Sequence, residues 1–382
     1  MKFLGSWKKQ ALILSILSTI IVSRNIFDKV WDAATVFQWG AVRFWNFENP
    51  YVPYLDHNHF KYSPLFALFY SLYTFFPSWL HAALWGITNI AVYWTGISLW
   101  FPMSKFSKSH AAGWFLFFLV IASMEMDGPT RHLQMNPFLI GAMLIGLHLY
   151  REEKYVWSGV VLTAIGTFKI FMIMLPVMLL FNGKKRYWIG FFVGLAVEFL
   201  FPIARVGWSR NLAVHREWLE MLLDNSQVIV DKPLEYIISL ANTFLHLGYP
   251  LFGKILSAFI LIFSSALLAW RAFRRFDLNA WVPLCLTCII LVNPGTEGPT
   301  FVILIPSFLF LMAAMEERGF YPRWELVVLV VCAVLITLCH NDIWPKSFIN
   351  LAGPRAISKV FGSLLLWIYC VVLVIRSHAP RH

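Results

Sequence analysis

The chain has 382 residues, of which 59% are hydrophobic and only 13% charged, and its formal net charge is +11. A soluble domain is nearer half apolar and a quarter charged, so the composition excludes an ordinary soluble enzyme. Nucleic-acid binding is a poor explanation of the charge, because no basic stripe lies on a predicted soluble face. Apolar runs of helix length recur from residue 11 to residue 376 and predict an integral membrane protein.

The apolar runs predict an all-α bundle of about twelve transmembrane helices. The first run follows Lys2, Lys8 and Lys9 and is not followed by a small-residue cleavage site, which favours an uncleaved first helix over a signal peptide. No linker or internal repeat divides the chain, so residues 1–382 are predicted to form a single membrane domain. The predicted spans are 11–24, 81–101, 112–124, 136–150, 157–168, 170–181, 187–204, 251–273, 278–293, 299–315, 325–339 and 357–376.

Basic clusters between the spans predict the orientation of the chain. With every cluster placed in the cytoplasm, that side holds 17 Lys+Arg and 6 Asp+Glu, whereas the remainder holds 14 of each. The positive-inside rule describes this asymmetry, and it predicts that both termini are cytoplasmic. The clusters are Lys8/Lys9, Lys105/Lys108, Arg151/Lys154, Lys184/Lys185/Arg186, Arg271/Arg274/Arg275, Arg318/Arg323 and Arg376/Arg381.

One apolar segment, residues 63–77, does not fit as a span. Counting it as one would place Lys105 and Lys108 outside, so we expect a juxtamembrane or re-entrant helix on the outer side, bounded by Pro64 and Pro77. The outer face is also expected to carry irregular polar segments, which at membrane depth are tolerated where they line a cavity. These segments are 25–62, 125–135, 205–250, 294–298 and 340–356.

Asp32 lies just beyond the first predicted span, in the sequence NIFDKVWDAA. A carboxylate at the membrane surface can act as a general base toward a hydroxyl group within hydrogen-bond reach. Asp28, one helical turn earlier, is a second candidate for this role. The structural alternative for Asp32 is an ion pair with Lys29 or Arg24.

Lys169 interrupts the apolar stretch 157–181 between two half-length runs, with cytoplasmic charges beyond both ends. This pattern predicts two short helices that meet at an extracytoplasmic apex occupied by Lys169. An ionisable residue inside an apolar stretch is a functional hypothesis by default, and an ammonium group suits a phosphate oxygen. The alternative is a full-length helix with a snorkelling lysine.

Polar residues follow the third predicted span in the loop MEMDGPTRHLQMNP. Its acidic pair, Glu125 and Asp127, could hold a sugar or a cation, and Arg131 could bind a phosphate in a bidentate way. Gln134 and Asn136 end the loop. The alternative is a solvated loop without a ligand.

Glu297 occupies the tip of a hairpin between two spans, in NPGTEGPTF (293–301). Broken helices expose backbone donors and often frame a site. The alternative is a tight turn with one exposed acid.

Two residue groups resemble metal sites, but we predict no metal in either. Residues 56–59 (Asp-His-Asn-His) are adjacent in an extended loop, where neighbouring side chains diverge. Cys285 and Cys288 form a C-x-x-C inside an apolar run without a second ligand pair, so core packing is favoured.

Other charged residues near the outer face have less specific interpretations. A group of basic residues could attract an anionic lipid headgroup, although simple anchoring to the membrane surface is slightly favoured. Glu198 is expected to be a hydrogen-bonded structural acid. The basic residues are Arg205, Arg210, Arg216 and Lys232.

Several short motifs, in order, resemble the polyprenol-phosphate-sugar-dependent transferases of glycosyltransferase family 87, a branch of the GT-C membrane superfamily. The resemblance covers roughly residues 25–305. Each motif is weak alone, whereas their order and spacing together are fairly specific. The motifs are Asp32, ENPY (48–51), FKYSPLFAL (60–68), QMNP (134–137), GTFKIF (166–171) and TEGPTF (296–301).

This resemblance implies a GT-C-type bundle in a bacterial inner membrane, with juxtamembrane helices and the active site on the extracytoplasmic side. It implies an inverting transfer from a polyprenyl-phosphate sugar donor to a glycan or glycolipid acceptor, without a cofactor or a metal. Asp32 would deprotonate the acceptor hydroxyl. Lys61, Arg131 and Lys169 would lie near the donor phosphate, and Gln134, Asn136 and Glu297 near the sugar or acceptor.

The main alternative is a secondary transporter or lipid flippase. Such proteins often have two related halves and charges at the membrane midplane. This chain shows no related halves, and its polar residues concentrate at one predicted face. A membrane acyl- or phosphotransferase is a further alternative, but no histidine-centred motif supports it.

Overall fold

The computed structural model describes residues 32–54, 59–100, 111–228, 237–272, 277–318, 322–337 and 352–376. Every regular element in these ranges is a helix, which confirms the all-α prediction. Two 3-10 helices, Ile170–Ile173 and Gly298–Leu304, interrupt the α-helices. The α-helices are α1 (Asp32–Trp45), α2 (Pro64–Thr74), α3 (Ser78–Trp100), α4 (Ala111–Arg131), α5 (Asn136–Arg151), α6 (Tyr155–Phe168), α7 (Met174–Leu180), α8 (Lys185–Val228), α9 (Leu240–His246), α10 (Pro250–Ala272), α11 (Leu278–Val292), α12 (Ile305–Arg318), α13 (Arg323–Thr337) and α14 (Ala352–Arg376).

Helices of membrane-spanning length and hydropathy are present. By length and composition, the described residues contain four candidate spans: Lys185–Asp224, Pro250–Ala272, Gly298–Met315 and Ile357–Arg376. Shorter apolar helices cover Tyr155–Phe168, Ile170–Leu180 and Leu278–Val292. These helices support a membrane-embedded protein, whereas the count of twelve spans stays a prediction. The first predicted span, 11–24, lies outside the described residues.

The apolar segment 63–77 forms a separate short helix, α2. Ser63 is its N-cap and accepts a hydrogen bond from Phe66 N, while Pro64 occupies the first turn. A proline is tolerated there because its missing N–H has no helical partner anyway. The helix ends at Thr74, three residues before Pro77.

Two segments predicted to be irregular are helical instead. Helix α4 continues to Arg131 with Pro129 inside it, and α8 continues through residues 205–228 after a break at Gly207 (φ 75°, ψ 169°). Beyond the break, exposed apolar residues recur at roughly helical spacing at 208, 212, 219 and 223, which is an amphipathic pattern rather than a loop pattern. The predicted outer loop 25–62 likewise contains α1.

The described residues group into two compact units. The first comprises the described residues within Met1–Phe101 and Asp127–Gln227. An aromatic cluster forms part of its core: the ring of Phe66 lies 5.4 Å from Phe37, 5.6 Å from Tyr70 and 5.4 Å from Phe168 between centroids. Such rings bury large apolar areas, and their edge-to-face geometry adds to the attraction.

Glycine pairs let helices of the first unit approach closely. A Cβ added at Gly96 of α3 would lie 2.4 Å from the carbonyl oxygen of Gly141 in α5. One added at Gly190 of α8 would lie 2.1 Å from the carbonyl oxygen of Val156 in α6. Small residues at helix crossings are a common device in membranes, where close van der Waals packing drives association.

The second unit comprises the described residues within Pro102–Met126 and Val228–His382. Helix α11 is almost entirely buried in it, and its two thiols, Cys285 and Cys288, are free and buried. Trp367 of α14 donates from Nε1 to Ser264 Oγ of α10 at 2.9 Å. Arg271 of α10 donates to the carbonyl oxygen of Ile375 at 2.9 Å, which places a cation at the C-terminus of α14, where the helix dipole favours one.

Candidate functional site

The chain breaks at Lys169, as the sequence predicts. Helix α6 ends at Phe168, and Lys169 is extended (φ −134°, ψ 99°) before the 3-10 helix begins. The returning chain is close to α6, since a Cβ added at Gly166 would lie 2.9 Å from Ile173 Cα. The half-buried Lys169 therefore lies where two short helical segments meet.

Lys169 begins a chain of polar side chains. Its Nζ donates to Asn136 Oδ1 at 2.8 Å, and Asn136 Nδ2 donates to Gln134 Oε1 at 2.8 Å. Asn136 is 1% exposed and is the first residue of α5, next to Pro137. The structure thus brings together three of the predicted site residues, one from GTFKIF and two from QMNP.

Two residues of α3 hold the QMNP turn in place, and sequence analysis missed both. Asn89, 2% exposed, donates to the carbonyl oxygen of Gln134 at 2.5 Å and accepts from Phe138 N at 2.6 Å. Trp85 Nε1 donates to the carbonyl oxygen of Leu133 at 2.8 Å. A buried asparagine within a predicted apolar span was the available signal, because such a residue needs polar partners.

The start of α1 adjoins this turn. Ala33 N donates to the carbonyl oxygen of His132 at 3.3 Å, and Arg131 is the half-buried last residue of α4. Asp32 is the first residue of α1, so its backbone lies beside the segment that carries Arg131 and His132. Asp28, the second candidate base, lies outside the described residues.

The ENPY motif packs on the segment that carries Lys61. Tyr51 N donates to Asn49 Oδ1 at 2.8 Å, which closes a local turn, and the Tyr51 hydroxyl donates to the carbonyl oxygen of Tyr62 at 3.1 Å. Burial raises the pKa of Tyr51 well above its ordinary value, and the negative charge of Glu198 raises it further. The phenol therefore stays protonated and acts as a donor.

Glu198 of α8 lies between the FKYSPL and GTFKIF motifs. Its Oε2 accepts from Ser63 Oγ at 3.0 Å and from Thr167 Oγ1 at 2.8 Å, and its Oε1 accepts from Leu65 N at 3.4 Å. The residue is 5% exposed. The expectation of a hydrogen-bonded structural acid is confirmed, and the structure adds which motifs it joins.

The second half of α8 folds back over the same region. His215 Nε2 lies 3.8 Å from Glu198 Oε1, whereas in a straight helix residues so far apart in sequence would be separated by about 25 Å. The bend at Gly207 accounts for the difference. It also brings Trp218 Nε1 within 3.4 Å of the carbonyl oxygen of Lys61.

The basic residues of α8 have protein partners. Arg205 donates to the carbonyl oxygen of Trp45 at 2.5 Å, at the C-terminus of α1. Arg210 forms a two-fold ion pair with Glu217, at 2.6 and 3.0 Å. Because these guanidinium groups are engaged, we assign them no headgroup site. The exposed Arg216 pairs with Glu220 at 2.7 Å, and Lys232 lies outside the described residues.

Glu297 belongs to the second unit. It precedes the 3-10 helix Gly298–Leu304, and its N–H donates to Thr300 Oγ1 at 3.4 Å. The preceding Thr296 accepts at its carbonyl oxygen from Ile238 N at 2.6 Å. Glu297 is half-buried in a broken turn, as predicted, and its role in binding stays a prediction.

Glu125 was expected to be available to a sugar or a cation, but the structure pairs it with a lysine inside the protein. It forms a buried ion pair with Lys359 of α14, Oε1 to Nζ at 2.7 Å, and both side chains are almost fully enclosed. Lys359 Nζ also lies 4.9 Å from the ring centroid of Phe301, in the TEGPTF motif. The pair joins α4 to α14, because a buried charge needs a partner.

The described residues contain no group of three or more His, Cys, Asp or Glu that could hold a metal ion. Three of the four residues in the Asp-His-Asn-His sequence, 56–58, lie outside that part of the chain.

The family comparison gives a specific match. The model of glycosyltransferase family 87 matches residues 60–294, more than half of the chain. Lys61, Arg131 and Lys169 lie inside the match, whereas Asp32 and Glu297 lie outside it. No curated protein matches the chain. The protein therefore belongs to glycosyltransferase family 87, a GT-C type family, and is a membrane-embedded glycosyltransferase.

Proposed function

We propose that this glycosyltransferase moves a sugar from a polyprenyl-phosphate donor to an extracytoplasmic glycan or glycolipid acceptor. The observation that carries the proposal is the chain of contacts from Lys169 through Asn136 to Gln134, at a helix break within the region matched by the family. The amide of Asn136 orients the ammonium group of Lys169, and an ammonium group suits an anionic ligand.

The donor phosphate is expected to lie near Lys169, Arg131 and Lys61. A phosphate leaving group carries negative charge that increases as its bond to the sugar breaks, and preorganised cations stabilise that charge. Lysine supplies a compact point charge, whereas an arginine can bind two phosphate oxygens.

Asp32 is the proposed general base. As the bond between the anomeric carbon and the phosphate oxygen breaks, the leaving polyprenyl phosphate keeps the bonding electron pair. The acceptor oxygen then forms its bond to the anomeric carbon from the opposite face, and its proton passes to the Asp32 carboxylate. This single displacement inverts the anomeric configuration.

Gln134 is proposed to contact a sugar hydroxyl group, because an amide can both donate and accept. Asn136, whose amide is hydrogen-bonded to Lys169 and Gln134, is proposed to contribute to the sugar or acceptor site by holding these two side chains. Glu297 is proposed to bind the sugar or the acceptor. We further propose that the protein lies in the bacterial inner membrane, with both termini cytoplasmic and this site on the outer side. The distribution of basic clusters supports that orientation.

Purified protein incubated with a panel of polyprenyl-phosphate sugars tests the proposal. Mass spectrometry would follow the conversion of each donor to polyprenyl phosphate, and NMR of the product would give its anomeric configuration. We expect one or few donors to be consumed, and only with an acceptor present. Consumption of nucleotide sugars in place of the lipid donors would contradict the proposal, as would a product with retained configuration.

A further inference from the structure

Glu198 is the point where the two lysine-bearing motifs meet. Ser63 lies two residues after Lys61, and Thr167 lies two residues before Lys169. Both hydroxyl groups donate to the same carboxylate oxygen of Glu198, at 3.0 and 2.8 Å. These motifs are about a hundred residues apart in sequence, and their side chains share one acceptor.

The carboxylate of Glu198 accepts a third hydrogen bond besides those from Ser63 and Thr167. Leu65 N, in the first turn of α2, donates to its second oxygen at 3.4 Å. The carbonyl oxygen of Ala164 also lies 2.8 Å from Thr167 Oγ1, so this hydroxyl group lies within hydrogen-bond distance of two acceptors.

We propose that Glu198 is a positioning residue that fixes Lys61 and Lys169 together by holding Ser63 and Thr167 on one carboxylate. This inference rests on the proposed function, in which both lysines lie near the donor phosphate. A buried carboxylate is costly unless it is fully hydrogen-bonded, so a simple packing position would be filled by an apolar residue instead. Trp218, which donates to the carbonyl oxygen of Lys61 at 3.4 Å, is a further contact to that segment.

The hydrogen bonds from Ser63 and Thr167 to Glu198 can be removed separately. Ser63→Ala removes the hydrogen bond that lies two residues from Lys61. Thr167→Val removes the hydrogen bond that lies two residues from Lys169, and Glu198→Ala removes both. Thr163→Val is a matched control one turn earlier in α6. Thr163 is fully buried, and its hydroxyl has no hydrogen-bond partner in the part of the chain that the structure describes. The control therefore makes the same isosteric change without removing a hydrogen bond to Glu198.

Lysine acetylation with acetic anhydride, followed by mass spectrometry, reports the position of each lysine without a donor or an acceptor. Rates are normalised to the exposed Lys185. We expect Glu198→Ala to change the rates at both Lys61 and Lys169 by about fivefold, the size of effect that one lost buried hydrogen bond produces. Ser63→Ala should affect Lys61 alone, Thr167→Val should affect Lys169 alone, and Thr163→Val should affect neither.

Kinetics give a second readout. We expect Glu198→Ala to raise the donor KM about tenfold, with little change in the acceptor KM, and Glu198→Gln to recover part of the loss because it keeps one acceptor oxygen. If Ser63→Ala and Thr167→Val each changed the acetylation of both lysines equally, the cause would be a general loosening of the fold, and the proposal would be overturned. Unchanged acetylation of both lysines in Glu198→Ala would also overturn it. A wild-type protein that consumes no lipid-linked sugar would refute the proposed function alone, since the acetylation pattern would still decide whether Glu198 positions the lysines.

Discussion

Asp32 and Lys169 differ in how the fold holds them. Lys169 has a defined acceptor in Asn136, and its backbone is extended between two helical segments. Asp32 begins α1, beside a backbone hydrogen bond from Ala33 to His132. The proposed roles also differ: Lys169 is the proposed cation for the donor phosphate, and Asp32 is the proposed base for the acceptor hydroxyl.

Asp32→Asn tests the general base. We expect the transfer rate to fall by about 100-fold or more, because an amide cannot take the acceptor proton. Donor binding should change little, since the carboxylate contributes to the step after binding. The measurement is the single-turnover rate together with the donor Kd. Asp28→Asn is the companion variant, and a greater loss there than in Asp32→Asn would assign the base to Asp28.

Lys169→Gln tests the donor contact. The loss of a charge-assisted hydrogen bond to phosphate should raise the donor KM about tenfold or more, with a smaller effect on the acceptor KM. Lys185→Gln, an exposed lysine of α8, is the control and should behave like the wild type. Steady-state kinetics with each substrate varied in turn make this measurement. An unchanged donor KM in Lys169→Gln would remove Lys169 from the donor site.

At the level of elements, polar contacts between helices fix the position of the functional segments. In the first unit, α3 supplies Asn89 to the QMNP turn, and α8 supplies Glu198 to α2 and α6. In the second unit, Lys359 of α14 pairs with Glu125 of α4. Each contact lies among apolar surroundings, so breaking it leaves a polar group without a partner, which costs more than the bond itself contributes.

Lys359→Met tests the buried ion pair. Because Glu125 would remain buried without its partner, we expect the free energy of unfolding to fall by about 3–5 kcal/mol. The double variant Glu125→Gln/Lys359→Met removes both charges and should recover much of this loss. Thermal unfolding in detergent, followed by the recovery of monodisperse protein, makes the comparison. Equal destabilisation in the single and double variants would mean that the pairing energy is small.

At the scale of the whole molecule, the orientation in the membrane decides which substrates can reach the site. The basic clusters predict cytoplasmic termini, and the positive-inside rule gives the physical basis. Four helical stretches in the described residues have the length and hydropathy to span a bilayer. The remaining predicted spans stay a prediction that topology measurements can decide.

Cysteine labelling in intact cells tests the orientation. In a variant whose native cysteines are replaced, Arg131→Cys and Glu297→Cys are expected to react with a membrane-impermeant maleimide added outside. Lys184→Cys, in a predicted cytoplasmic cluster, should react only after the membrane is permeabilised. Labelling of Lys184→Cys from outside would reverse the orientation and place the proposed site in the cytoplasm.

The sequence by itself determined the class of protein, most helix positions and the break at Lys169. These properties depend on local composition and on the spacing of apolar residues along a short stretch, which a single chain displays directly. The short helix within 63–77 was predictable for the same reason, since Pro64 lies in its first turn and Pro77 follows its end. The prediction of an irregular polar segment was wrong at residues 205–228, where the apolar residues recur at helical spacing.

The tertiary structure alone decided which polar residues meet. Glu198 and Ser63 are far apart in sequence, as are Lys359 and Glu125, and no periodicity connects such pairs. The contact of Asn89 with the QMNP turn also joins residues that are far apart in sequence. Buried polar groups need hydrogen-bond partners, and the packing of helices decides which donors and acceptors meet. The need for a partner can therefore be inferred from the sequence, whereas the identity of the partner requires the fold.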